Sequence, residues 1–194
     1  RQMCIRDRGI TTLETAVDGL SSVVNAYGEE TLSAQMASDL MFTTVRLGKT
    51  TFEELAGSLY NVVPTAVGAG VAFSDISAAL AAMTAQGVPT SVATTQLRQA
   101  IVELSKAGTE TDKTFREIAG KGFKDFISAG GNLQESFQLL EKHAKDTGIG
   151  VNDLFGSVEA GNAVLSLTGQ GTEKFTQSMA EMQSAAGATD AAFG

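Results

Sequence analysis

The sequence predicts an all-α fold, a multi-helix array of short antiparallel helix hairpins with no sheet. Apolar residues recur at helical spacing through nearly every segment of the 194-residue chain. Of its 21 glycines, many fall at the ends of those segments (Gly28, Gly48, Gly87, Gly108, Gly148, Gly169), where a left-handed cap needs no Cβ. No stretch alternates apolar and polar residues as a half-buried strand would.

The first helix is predicted over Thr11–Tyr27, with Leu13, Val17, Leu20 and Val24 on one face and Gly28 as terminator. Glu29 and Glu30 suit the positive end of a second helix that reaches Leu47 and stops at Gly48. Thr51-x-x-Glu54 is a capping box, with Thr50-x-x-Glu53 the alternative register, for a helix over Thr51–Val62 whose face is Phe52, Leu55, Leu59 and Val62. TAVGAGVAF breaks it. Ser74 is the expected N-cap of a helix to Gln86 carrying Ile76, Leu80 and Met83. Gly87 then turns the chain so that Pro89 opens a further helix in its first turn, where a missing N–H costs nothing. That helix presents Ala93, Leu97, Ile101 and Leu104, which are expected to pack on Ile76, Leu80 and Met83.

Beyond Gly108 the chain becomes more charged. Thr109–Gly122 reads as an amphipathic surface helix around Phe115 and Ile118, continued by Phe123, Phe126 and Ile127 to Gly130-Gly131. Asn132-x-x-Glu135 caps a helix with Leu133, Phe137, Leu140 and Ala144 in register. Gly148-Ile149-Gly150 turns into Asn152–Val158, and Leu165–Gly171 closes the compact part. A last helix, Thr172–Ala186, places Phe175, Met179, Met182 and Ala186 in line.

The chain divides accordingly into three parts. Residues 1–8, RQMCIRDR, hold three of the six arginines and the single cysteine, and read as an extraneous, adapter-like segment. Residues 9–169 form an all-α domain. Residues 170–194 form a C-terminal helix leading into further sequence, so the chain reads as a fragment of a longer protein. With no tryptophan and much alanine and glycine, the core is expected to be shallow and built from small side chains.

Composition narrows the function. A net charge of −8 argues against direct nucleic-acid binding, which needs a basic stripe. His143 stands alone between Lys142 and Lys145, too few ligands for zinc. The adjacent acids Glu29-Glu30 and Glu53-Glu54 point about 100° apart on a helix and do not converge as an acid–base pair. Gly68-Ala69-Gly70 and Gly120-Lys121-Gly122 lack the flanking strand and Lys-Ser/Thr of a phosphate loop, and no Gly-x-Ser-x-Gly elbow occurs. No catalytic residue, cofactor or metal is expected. The sharpest feature is the stretch from Leu55 to Leu97, in which Asp75 is the only charge. Its helices must bury themselves against one another or a partner; interruption by Asn, Thr, Ser, Gln, Gly and Pro makes a membrane span a poor reading.

The same stretch carries a family likeness. KTTFEELAGSLYNVVPTAVGAGVAFSDISAALAAMTAQGVPTSVATTQLRQAIVELSK resembles the core of phage tail tape measure proteins in the order and spacing of Thr51, Glu54, Leu55, Pro64, Ala66, Gly70, Ile76, Ala79, Leu80, Gly87, Ala93, Thr95, Leu97, Arg98 and Leu104. The likeness extends over about residues 11–169. It implies a structural, non-enzymatic protein that sets tail length, supports tube assembly and takes part in DNA ejection. Implied partners are its own copies, the tail tube protein, the tail assembly chaperones and the tail-tip proteins, with host membrane contact during ejection. The implied location is the tail tube lumen of the virion, and the host cytoplasm during assembly. Pro64, Gly70, Gly87, Leu97 and Leu104 are the positions expected to matter structurally. The alternative is a secreted or pore-forming helical bacterial effector that inserts the uncharged hairpin into a membrane. Murein-cleaving activity is the enzymatic rival. Deleting residues 1–8 should leave the melting temperature unchanged; a drop of several degrees in a thermal melt would show that the segment packs.

Overall fold

The computed structural model describes the backbone of residues 3–193 and the side chains of residues 13–192. Among the described residues the chain forms twelve α-helices, two short 3-10 turns and no strand. The helices are α1 (Met3–Tyr27), α2 (Ala34–Leu47), α3 (Phe52–Ser58), α4 (Val63–Ala69), α5 (Phe73–Ala85) and α6 (Thr90–Ser105). They continue as α7 (Glu110–Ala119), α8 (Phe123–Ser128), α9 (Leu133–Thr147), α10 (Val158–Leu167), α11 (Gly171–Gln183) and α12 (Ala188–Phe193). The 3-10 turns are Leu59–Asn61 and Val151–Leu154. The all-α class is as the sequence predicts.

Local chemistry sets most boundaries. Both predicted capping boxes form: Thr51 with Glu54 opens α3, and Asn132 with Glu135 opens α9, each pairing two amides the helix itself leaves free. Ser33, Thr109 and Ser157 cap α2, α7 and α10 through their side-chain oxygens. Gly70, Gly120 and Gly148 end α4, α7 and α9 in the left-handed conformation.

The fold is organised around α5. From Asp75 to Thr84 every residue of this helix is buried, including Ala78, Ala79, Ala81 and Ala82. A helix apolar on all sides needs neighbours on all sides. α11 and α2 cover it most extensively, with α6, α10 and α4 completing the shell. α6 lies mainly against α10 and buries Leu97, Ile101 and Leu104. α1 closes on α3 where Gly19 permits it: a Cβ there would stand 2.5 Å from the Ala56 Cβ. Around this alanine-rich centre the later helices bring Phe115, Phe123, Phe137 and Phe175, all fully buried. Phe115 meets Phe123 and Phe126 edge to face, with centroids 5.8 and 5.5 Å apart.

Several sequence expectations need correcting. α1 begins at Met3, before the expected Thr11; the side chains of residues 1–8 lie outside the described residues. Glu29 and Glu30 lie in an exposed turn, not in a first helical turn, because Ser33 caps α2 and starts it at Ala34. Gly48 is extended, with φ −94°; its role is close approach, since a Cβ there would collide with the Thr84 hydroxyl on α5. The helix expected over 51–62 tightens to a 3-10 turn at Leu59, and TAVGAGVAF is not one break. Pro64 seeds α4 in its first turn, so the break narrows to Gly70–Ala72. Ala72 precedes α5 as its N-cap, not Ser74, and Pro89 is the N-cap of α6, one place earlier than expected.

In the second half, Gly120-Lys121-Gly122 splits α7 from α8. The segment expected over Asn152–Val158 is a 3-10 turn to Leu154 and a loop over 155–157, and α10, which opens at Val158, was not expected. Its Gly161 gives room for the backbone of Asn152, whose carbonyl oxygen lies 3.4 Å from where a Cβ would sit. α11 ends at Gln183, which leaves Ala186 exposed and buries Ala185. Beyond residue 169, α11 lies on α5 and α12 on α2. Nor is the core built from small side chains alone: alanine fills α5, and phenylalanine fills the helices that close over it. The expected pairing of α5 with α6 is present but secondary, since each has a larger neighbour in α11 or α10.

Two substitutions probe this core. Leu97→Ala should lower unfolding stability by about 2 kcal/mol or more, read from chemical denaturation, because it leaves a cavity in a region with few large side chains to fill it. Gly87 has φ +98° and open space where a Cβ would go, so Gly87→Val introduces backbone strain without a clash. It should cost more than about 1 kcal/mol by the same measurement.

Candidate interaction surface

The positions singled out in the sequence are structural in setting. Pro64 stands in the first turn of α4, and Gly70 (φ +78°) ends that helix with its N–H on the carbonyls of Ala66 and Val67. Gly87 links α5 to α6, and Leu97 and Leu104 are buried in α6. They do not converge on one site. His143 is half-buried on α9 between two exposed lysines. Among the described residues, no cluster of three or more His, Cys, Asp or Glu side chains could hold a metal ion. No helix among them is long and apolar enough to cross a membrane.

Sequence reasoning missed a set of buried carboxylates that tie distant segments together. Asp75 on α5 accepts the Leu133 N–H at 3.0 Å, so the one charge of the uncharged stretch meets the start of α9. Burial pushes its carboxyl above the ordinary range, against the effect of that hydrogen bond. Glu103 on α6 accepts from Gly156 N (2.7 Å), Ser157 N (3.1 Å), the Ser157 hydroxyl and the Thr111 hydroxyl, holding the loop before α10. Asp39 on α2 accepts from Gly187 N (2.9 Å), Thr189 N (2.8 Å) and the Thr189 hydroxyl (2.6 Å), and so holds the start of α12. Burial alone would raise the Asp39 pKa, but these donors, with Gln35, outweigh it and hold it below the ordinary value. Asp112 is likewise held low, burial being outweighed by the Gly108 amide and Arg116. One signal was legible: Glu103 lies three residues from Ala100 and beside Leu104, on the buried stripe of α6.

One surface stands out by chemistry. Tyr60 is 72% exposed, Val158 76% and Val92 41%, and the three, from the first 3-10 turn, α10 and α6, line one groove. Its remaining walls are Asn61, Ser91, Thr95, Gln96, Asn162 and a single charge, Glu159. Tyr60 also borders a second groove between α1, α3 and α4, walled by small residues that include Gly19, Ala26, Ala56, Gly57 and Pro64. The tyrosine is thus a ridge between two hollows. Within the uncharged stretch, Tyr60 and Val92 are the large apolar side chains that stand exposed. Exposed apolar clusters of this kind mark protein interaction sites, and an aromatic anchor is the commonest energetic centre of one.

The phage-related minor tail protein family model matches residues 8–156. The probable tape measure protein of Clostridium phage phiCD119 is 37% identical over 191 residues, covering 95% of this chain and 20% of that protein. The chain therefore spans about one fifth of the length of this relative. No solved structure matches. Neither match supports the reading as a secreted or pore-forming effector.

The carboxylates separate by substitution. Asp39→Asn puts an amide donor against the amides of Gly187 and Thr189, and should cost about 1–3 kcal/mol at pH 7 by chemical denaturation. Asp75→Asn keeps an acceptor for Leu133 while removing a charge that burial disfavours, so it should leave stability unchanged or raised. The signs with pH differ too. Asp39 and Asp112, with lowered values, contribute stability that is complete above the ordinary Asp value of about 3.9 and is lost as pH falls below it. Asp75, with a raised value, costs stability progressively as pH rises above the ordinary Asp value of about 3.9, until the pH has passed its own raised value. An acid titration followed by circular dichroism should therefore show unfolding shifted to higher pH in Asp39→Asn, and not in Asp75→Asn.

Proposed function

The chain belongs to the phage-related minor tail protein family, and from that membership we propose that it is a structural, non-enzymatic segment of a tape measure protein. The observation that supports this is the family match over residues 8–156, joined to a fold whose uncharged stretch is used for packing rather than for chemistry. In this reading the segment acts in the tail tube lumen, and in the host cytoplasm during assembly. Its partners are further copies of itself, the tail tube protein, the assembly chaperones and the tail-tip proteins. It contacts no nucleic acid directly, and its role in DNA ejection includes contact with the host membrane.

The packed form argues for a particular share of the work. A ruler made of extended helix adds about 1.5 Å of tail per residue. Twelve short helices folded round α5 do not extend in that way. We assign this segment to organising assembly rather than to measuring length.

In-frame deletion of residues 11–169 from the parent gene distinguishes the two. If those residues were an extended rod, tails would form and be shorter by about 240 Å. The expected result in electron micrographs is few or no complete tails. Normal numbers of tails shortened by the rod increment would show that the segment measures length. Normal tails of unchanged length would remove it from tail assembly altogether.

A further inference from the structure

We propose that α12 is a releasable strap, docked and helical only while the Asp39 carboxylate on α2 caps its first turn. This conformational device goes beyond the reading as a tail segment and does not depend on it. Three observations carry it. First, α12 lacks the apolar anchor that the other helices have. Each of α1 to α11 buries at least one apolar side chain, whereas among the described side chains of α12 none is buried. Asp190, Ala191 and Ala192 are exposed, and Ala188 and Thr189 are half-buried. Burial of an apolar face, the usual reason a short helix stays formed and docked, is nearly absent here.

Second, a polar contact takes its place. Asp39, only 1% exposed, accepts the Gly187 N–H through Oδ2 and the Thr189 N–H and hydroxyl through Oδ1. These donors stand at the start of α12, where a helix leaves its amides without partners. The cap is ordinarily a side-chain oxygen of the residue just before the helix. Here that residue is Gly187, which has no side chain, and the oxygens come from 148 residues away. A helix of six residues is far below the length of about 12–15 at which helices hold by themselves in water. Loss of the cap therefore undocks α12 and melts it in one step.

Third, the chain is jointed where the strap would swing. Gly187 has φ +81°, with nothing within 4 Å of where a Cβ would stand. Ser184 and Ala186, in the connection from α11, are exposed. On release Asp39 keeps Gln35, its neighbour on α2 at 3.3 Å, and turns its remaining oxygen sites to water. The buried Phe175, Met179 and Met182 hold α11 in place without the strap, so the body stays packed.

Amide hydrogen exchange, followed residue by residue by NMR on the 194-residue chain at one fixed pH, tests the strap. In the wild type the Gly187, Thr189 and Ala191 amides should exchange through a local opening. After correction for intrinsic rates they should be roughly 100-fold or more faster than those of Leu80 and Met83 on α5, and insensitive to low urea. Asp39→Asn should speed them by about tenfold or more, to the rate of an unstructured peptide, because an amide replaces the charged acceptor. Leu80 and Met83 should remain strongly protected in that variant. Thr189→Val removes one donor to Asp39 and keeps the side-chain shape; it should speed the Gly187 and Ala191 amides several-fold, and it decides the matter if Asp39→Asn does not fold. Wild-type α12 amides that exchange only together with those of α5 would overturn the proposal, since α12 would then open only by global unfolding. So would α12 amides whose protection is unchanged in Asp39→Asn, or in Thr189→Val where that variant decides.

Discussion

Everything in this fold follows from one helix that has no outer face. α5 carries alanines at 78, 79, 81 and 82 with Ile76, Leu80 and Met83, and none of them reaches solvent. An amphipathic helix can be satisfied by a single neighbour. A helix apolar on every side requires a ring of them, and α2, α4, α6, α10 and α11 supply it from widely separated parts of the chain. Alanine makes the ring possible, since small side chains let helix axes approach closely, and Gly48 continues the same economy where α2 ends against Thr84. The larger side chains then belong on the enclosing helices. Phe175 sits on α11, which lies along α5, while Phe115, Phe123 and Phe137 occupy the helices farther out. An all-round apolar centre therefore accounts for the two unlike halves of the sequence, one rich in alanine and uncharged, the other amphipathic and rich in phenylalanine.

The buried acids solve the problem such an arrangement creates. Short helices expose many free amides at their ends, and an array packed on all sides places some of those ends away from water. Asp75 meets the start of α9, Glu103 the loop leading to α10, and Asp39 the start of α12. Each carboxylate reaches across more than fifty residues of sequence to do so. Negative charge at a helix start is favoured by the helix dipole as well as by hydrogen bonding, which is why acids and not lysines occupy these sites. The surface ion pair Arg46–Glu181 also joins α2 to α11, but both side chains are well exposed. Such pairs contribute about 0–1 kcal/mol, so the carboxylate-to-amide contacts are the ones that fix where the later helices dock.

Legibility in the sequence tracked the range of the interaction. The capping boxes at Thr51 and Asn132 and the face Leu133, Phe137, Leu140 and Ala144 involve neighbours within a turn or two, and they could be read directly. So could the uncharged stretch, whose burial follows from composition alone. What could not be read was which helix meets which. α5 pairs chiefly with α11, nearly a hundred residues on, while the periodicity of α6 suggested the adjacent partner. α10 was not read from the sequence, and the close approach of Asn152 that its Gly161 permits is visible only in the packed fold. The partners of Glu103 and Asp39 lie in segments that carry no motif, so the position of Glu103 on the buried stripe of α6 was legible but what it holds was not. The Tyr60 surface needs three separate elements to come together, and no one of them announces it.

The packed form also bears on what a segment of this kind can contribute within a longer chain. A folded unit of this length has a radius of gyration of about 16 Å by the usual size scaling, and hence a width of about 40 Å. The same residues as one continuous helix would extend about 290 Å. Adding or removing a few residues in a loop of the packed unit changes its span scarcely at all, whereas in a rod each residue counts equally. The unit therefore presents a surface of fixed geometry, indifferent to small changes in length, which suits a docking role better than a measuring one. Its charge supports the same division. Fourteen basic against twenty-two acidic residues keep most of the exterior hydrated and repulsive, and the strip around Tyr60 interrupts that repulsion.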